Sequence, residues 1–388
     1  MTACIVGWSH SPFGKHENDD VESLIGQVAT QAVADAGLEP GDIDEIYLGT
    51  FGGGFSKQGF PASLVLQADD GFRFKPATHV ENACATGSAA VHQGIRAIEA
   101  KRARRILVVG VEKMTGIPGK EIGDTLLTAS YLKEEGETEG GFAGVFGVIA
   151  SNYFQRYGDQ SDALAKIAAK NHKNGAVNPL AQMQKDLGYE FCRTKSEKNP
   201  YVAGPLKRTD CSLVSDGAAA LVLTDVETAL GMDKAVVFRS AAQVNDFLPM
   251  SKRDIIEFEG CEAAWKQAHA EAGTSLDDLS FVETHDCFTI AELLEYEAMG
   301  LAPRGEGARA ALEGWTEKDG RLPVNPSGGL KSKGHPIGAT GVSMHVMASM
   351  QLTGSAGEMQ LPKAELAGIF NMGGAAVANY VSILERLR

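Results

Sequence analysis

The sequence predicts an α/β fold made of two similar halves with a segment of different character between them. Three observations predict it. Apolar periodicity switches repeatedly between strand-like and helix-like, three short blocks recur in the same order, and the intervening segment concentrates positive charge. The elements follow in order. ACIVGWS reads as a strand. Across 21–37, Leu24, Ile25, Val28, Ala32 and Val33 fall at helical spacing, and Gly37 closes the helix. IDEIYLGTF returns to strand. RRILVVGV and AAALVLTD are short β-branched runs suited to buried strands.

The chain also resembles itself. AVADAGLEPGDIDEIYLG (32–49) aligns with AHAEAGTSLDDLSFVETH (268–285), Ala85-Thr86-Gly87 with Ala339-Thr340-Gly341, and RILVVGV (105–111) with GIFNMGG (368–374). The offsets are 236, 254 and 263, in one order, as duplication of an α/β unit would leave them. Between the halves, 113–210 opens with the Gly- and acid-rich KEEGETEGGFAG. Residues 164–208 then hold nine Lys/Arg against three Asp/Glu. Lys166, Lys170 and Lys173 share one helical face, which serves equally as a solvated surface or as a phosphate-binding flap.

Bulk properties bound the function. A chain of 388 residues needs more than one ordinary core. A formal net charge of −14 argues against nucleic-acid or anionic-membrane binding. MTACIVGWSH lacks a basic stretch followed by a long apolar one, and no apolar run reaches membrane-spanning length, so the expectation is a soluble, cytoplasmic protein. Six cysteines are scattered without a CxxC pair. That spacing speaks against a disulfide framework or a zinc site and for free thiols in a reducing compartment.

Chemistry concentrates in four stretches. In VENACATGSAAV, Cys84 precedes a small-residue helix whose free N–H groups favour a thiolate and could hold an oxyanion. A lone cysteine there is also ordinary core filler, so partners decide. NPSGGLKSKGHPIGATG holds His335 between Gly334 and Pro336, where an imagined partner thiol would find a fixed base. In ETHDCFTIAELLEYEAMGL a strand ends near Thr284 and a helix begins near Thr289, with His285, Asp286 and Cys287 at the junction where α/β folds place ligands. In FNMGGAAVANYVSIL, Gly373 and Gly374 permit close approach of a ligand or a backbone, or form a simple bend.

Taken together, CATGS (84–88), SDGAAA (215–220), HDCF (285–288), GGLKSKGHPIGATG (328–341) and NMGG near the end resemble the thiolase family over nearly the whole chain. The resemblance implies the thiolase fold: two βαβαβαββ halves in a five-layer αβαβα arrangement with an inserted loop domain that covers coenzyme A. The implied division is 1–112 plus 211–230 for the first half, 113–210 for the insert and 231–388 for the second half. It implies no prosthetic group, acyl-CoA and acetyl-CoA as substrates, and a homodimer or homotetramer. Cys84 matches the acylated nucleophile, His335 the activating histidine that also lines an oxyanion hole, and Gly373 the glycine whose N–H joins that of Cys84 in a second oxyanion hole. Lys166, Lys170, Ser327 and Gly328 are the candidate coenzyme A contacts.

Two departures matter. Asn371 stands where most thiolases carry a second catalytic cysteine, and HDCF stands where most carry NEAF. The pair resembles the sterol-carrier-protein type of thiolase, which implies that Cys287 supplies the acid/base thiol and that His285 takes the place of the asparagine orienting an oxyanion-hole water. Two other readings remain at this point. A decarboxylating, ketoacyl-synthase-like enzyme would need no proton-abstracting cysteine, and Cys287 argues against it. An acyl-CoA-binding or acyl-transfer subunit of a complex would account for the missing cysteine.

Overall fold

The computed structural model describes residues 3–388. Eleven strands form in chain order: β1 (Ala3–His10), β2 (Glu45–Gly49), β3 (Ala77–Val80), β4 (Arg105–Lys113), β5 (Tyr201–Ala203), β6 (Leu206–Lys207), β7 (Asp216–Asp225), β8 (Val236–Asn245), β9 (Phe281–Glu283), β10 (Leu366–Gly373) and β11 (Ala378–Arg386). The strands expected from sequence appear as β1, β2, β4 and β7, and the first expected helix spans Val21–Asp35. Among the described residues, no helix is long and apolar enough to cross a membrane.

Nine strands form one sheet in the order β3-β2-β4-β7-β1-β8-β11-β10-β9. The order is a mirror. β2 runs parallel to β4, and β4 antiparallel to β7, which pairs antiparallel with β1. Likewise β9 runs parallel to β10, and β10 antiparallel to β11, which pairs antiparallel with β8. The halves join through two residue pairs, Cys4 with Val237 and Ile5 with Val236. The recurring sequence blocks fall on matching elements: the helices Val21–Asp35 and Glu259–Ala272, strands β2 and β9, the helices Thr86–Glu99 and Ile337–Leu352, and strands β4 and β10.

Those last two helices lie between the halves. Ile337–Leu352 touches β4 and β7 on one side and β10 and β11 on the other, and it packs along Thr86–Glu99. Val21–Asp35 covers β1 and β7 from outside, and Glu259–Ala272 covers β8 and β11, completing the alternation of helix and sheet. The repeated Ala-Thr-Gly explains the central contact. A Cβ on Gly87 would lie 2.7 Å from the Gly341 nitrogen, and one on Gly341 would collide with the Ser88 nitrogen. Only glycine lets the two backbones approach so closely.

Between β4 and β7 the chain leaves the sheet and forms several helices, including Gly141–Tyr157 and Ser161–Gly175, and the β5–β6 ribbon. The excursion is pinched at its root. Lys113, the last residue of β4, pairs at 2.6 Å with Asp216, the first of β7, and Asp216 also accepts from the Thr115 N–H at 2.8 Å. This is the physical work of the aspartate in SDGAAA.

Candidate active site

Cys84 sits two residues before the helix Thr86–Glu99, in the turn Asn82–Ala85, and is 3% exposed. Small neighbours let the turn bury itself: Gly373 has no room for a Cβ beside the Asn82 carbonyl. Burial pushes the Cys84 thiol up to about 12, opposed chiefly by the Gly374 N–H and secondarily by its own N–H.

His285 follows β9, and His335 lies in the turn between the helices Gly329–Lys333 and Ile337–Leu352. The two rings meet edge to face with centroids 5.1 Å apart. The Cys84 sulfur and one nitrogen from each ring all lie within 4.8 Å of one another. Three residues separated by up to 251 positions therefore converge, as the sequence reading requires of a nucleophile with partners.

Hydrogen bonds assign the two imidazoles opposite tautomers. The Thr340 hydroxyl donates to the Pro336 carbonyl at 2.9 Å, so it can only accept from His335 Nδ1, 2.7 Å away. His335 Nε2 then carries a lone pair. The Asn371 amide nitrogen donates to the Cys84 carbonyl at 3.1 Å and to His285 Nδ1 at 2.8 Å. His285 Nε2 then carries a proton. Neither Nε2 has a partner among the described residues, although both rings are buried. One ring offers an acceptor and the other a donor. Burial, with the Lys333 charge second, lowers His335 to about 3, and burial, with His335 second, holds His285 well below the usual imidazole range. At neutral pH the resting site is uncharged, with thiols and neutral imidazoles.

Cys287 is buried, and its carbonyl accepts from the Ser212 N–H at 2.8 Å. Burial raises its thiol well above the ordinary value, and the next-largest cause is Cys84, which places the two sulfurs within electrostatic reach. Asp286 between the two fixes the neighbouring loop: its carboxylate accepts from the Leu330 N–H at 2.6 Å, the Lys331 N–H at 3.1 Å and the Asn171 amide at 2.7 Å. One side chain thereby sets the HDCF segment against the chain leading to His335. Beside Cys84, a cavity of about 460 Å³ is lined by Phe51, Asn82, Ala83, Leu248, Gly373 and Gly374 among others.

The basic face expected on the insert requires correction. Lys170 is buried, ion-paired with Glu292, and donates to the Val324 carbonyl at 3.0 Å. Its charge is consumed inside the protein, so it presents nothing to a phosphate. Lys173 is exposed and lies 3.5 Å from Glu317, and Lys166 stacks over Tyr189 with its ammonium 5.1 Å from the ring centre. Of the three, only Lys166 and Lys173 reach the surface. Ser327 and Gly328 are likewise interior: the Ser327 hydroxyl donates to Glu283 at 2.7 Å, and a Cβ on Gly328 would come within 2.5 Å of Gly175. They seat the insert against the second half instead of lining an open surface.

Sequence reasoning passed over Glu112 and Asn171, which had no local pattern, and Thr340 was legible only as part of a repeat.

Comparison with known proteins follows the same lines. Residues 3–227 match the family model "Thiolase, N-terminal domain", and 242–386 match "Thiolase C-terminal domain-like". An acetyl-CoA acetyltransferase of Methanothermobacter thermautotrophicus is 35% identical over 387 residues, covering 98% of this chain and 99% of the relative. Human sterol carrier protein 2 is 32% identical over 381 residues, covering 94% of this chain and 68% of the relative. Among solved structures, the "Ltp2-ChsH2(DUF35) aldolase" superposes with a TM-score of 0.84 at 22% identity, over 100% of this chain and 98% of that one. The Acat5 thiolase of Ascaris suum in complex with coenzyme A gives 0.71 at 17% identity, over 100% of both chains.

Proposed function

The chain belongs to the thiolase family and is an acyltransferase, and from that premise we propose that it makes or cleaves 3-ketoacyl-CoA through an acyl-enzyme on Cys84. The observation that carries the reading is the convergence of the Cys84 sulfur with the two imidazoles of opposite tautomer, within 4.8 Å.

The chemistry divides among these groups. As Cys84 attacks a thioester, its proton passes to the lone pair on His335 Nε2. The imidazolium so formed and the His285 Nε2–H are then donors for negative charge developing on a substrate oxygen. In this reading the N–H groups of Cys84 and Gly373 are the donors for the oxyanion of the acyl carbonyl. Cys287 handles the second proton. A thiol kept protonated by burial donates to the enolate released when a carbon–carbon bond breaks, and in condensation the same sulfur, as thiolate, takes the α-proton. Coenzyme A is substrate here, with Lys166 as the remaining candidate for its phosphates.

Mass spectrometry after incubation with acetoacetyl-CoA tests this. The expected result is an acetyl adduct on Cys84 that free CoA discharges. Cys287→Ala should still acquire the adduct from an acyl-CoA but lose condensation and thiolysis. Normal turnover by that variant would remove Cys287 from the mechanism.

A second reading, an acyl-CoA-handling subunit that completes its chemistry with a partner, is favoured by Asn371, whose amide occupies the position of a catalytic cysteine and is committed to Cys84 and His285. The structural neighbour whose name describes a DUF35-containing aldolase gives that partner a form to look for. An adduct at Cys84 without turnover, restored by an added partner, would select this reading.

A further inference from the structure

We propose that Cys84, His285 and His335 form a site for one zinc ion, whose binding reversibly blocks the nucleophile. A thiolate with two imidazoles is a donor set that suits Zn²⁺ and leaves the fourth tetrahedral position for water. The three ligand atoms already lie within 4.8 Å of one another. Bond lengths to zinc ask for separations of roughly 3.5 Å, so the proposal requires a closure of about 1 Å by the three side chains. Both Nε2 atoms are buried and without partners, so ligation through them breaks no hydrogen bond at either imidazole nitrogen. His335 is already set as ligating histidines are, with Nδ1–H held by the Thr340 hydroxyl and Nε2 free.

The protons balance without any redox partner. Zinc replaces the Cys84 thiol proton, which leaves to solvent. His285 gives up its Nε2 proton and gains one at Nδ1, for no net change. That shift turns the Asn371 amide, bringing its oxygen, which has no partner at present, onto His285 Nδ1–H at the expense of the bond from its nitrogen to the Cys84 carbonyl. A sulfur bound to zinc, with the lone pair of His335 also taken, cannot attack a thioester. The inhibitory consequence rests on the reading of Cys84 as nucleophile, whereas the coordination does not.

The test therefore reads the metal directly. The metal-free chain is titrated with Co²⁺ alone, following the near-ultraviolet thiolate-to-cobalt band, and Zn²⁺ is then added to displace it. One ion per chain is expected, with the band lost in Cys84→Ser and retained in Cys211→Ser. His285→Ala should weaken binding by more than the roughly tenfold that loss of an outer partner brings. No band in the unsubstituted chain, or an undiminished one in Cys84→Ser, overturns the site. Should Cys84→Ser fold poorly, the unsubstituted chain decides: Zn²⁺ should slow alkylation of the Cys84 peptide by iodoacetamide, and an unchanged rate rejects the proposal. The acyl-adduct experiment contains no metal, so its failure is separate.

Discussion

The two central helices begin with the same turn, and only one of these turns carries the candidate nucleophile. Cys84 and Gly338 stand 254 residues apart, the offset of the repeated Ala-Thr-Gly. In both turns a threonine hydroxyl bonds back to the residue four before it, Thr86 accepting from the Asn82 N–H at 2.8 Å and Thr340 donating to the Pro336 carbonyl at 2.9 Å. The difference is what meets the free N–H. The Gly338 N–H donates to Glu112 at 3.0 Å, and that carboxylate also takes the N–H groups of Phe51 at 2.8 Å and Gly52 at 3.3 Å. The turn that carries Cys84 instead borders a cavity. A helix N-terminus is ready for an anion in either half. One half satisfies it internally with Glu112, and the other is the half to which the proposed mechanism assigns the acyl oxyanion.

Substitution at the paired positions should break the symmetry in opposite ways. Cys84→Ala should abolish acyl-enzyme formation, read by mass spectrometry, while melting close to the parent. Gly338→Ala should instead cost about 3 kcal/mol of stability in urea titrations, because a Cβ there collides with the Val111 carbonyl and comes within 2.7 Å of that of Gly49. A stable Gly338→Ala would mean that the second turn is not closed as described. Thr340→Val keeps the shape but frees His335 Nδ1 and should lower kcat by about a hundredfold with little change in KM, since it disturbs the base and not binding.

Acid and alkali should separate the two turns. His335 is lowered from 6.5 to about 3, so its contribution to stability is complete above pH 6.5 and is drawn down as pH falls towards 3. Glu112 is raised by burial from 4.5 to about 7, so its contribution is complete below pH 4.5 and is lost as pH rises through 7. Urea midpoints across this range should show His335→Gln flattening the acid side and Glu112→Gln the neutral side. The smallest effect is expected on the insert. Lys166→Glu should raise KM for coenzyme A only a few-fold and mainly at low salt. No change would leave the insert without a phosphate contact at that lysine.

What could be read from the sequence was local. The turn before Thr86, the strand end before His285 and the mirrored strands all follow from periodicity and from glycines whose neighbours are close in the chain. Lys170 shows where this fails. Spacing puts Lys166, Lys170 and Lys173 on adjoining turns, but a helical face has a width, and about 40° of rotation between Lys166 and Lys170 separates the surface from the acidic helix Thr289–Ala298. Glu112 was illegible as a determinant of the site for a related reason, and Asn371 was marked only as a missing cysteine and not as the partner of Cys84 and His285. Their partners lie as far as 287 residues away, and no short window contains them.

The ion pair between Lys170 and Glu292 has a mechanical consequence. It bolts the helix Ser161–Gly175 to the element directly behind Cys287, in a place where separating the charges would strand both away from water. The helix Ser161–Gly175 is therefore held as a fixed part of the second half's surroundings and cannot swing away from it without parting that pair.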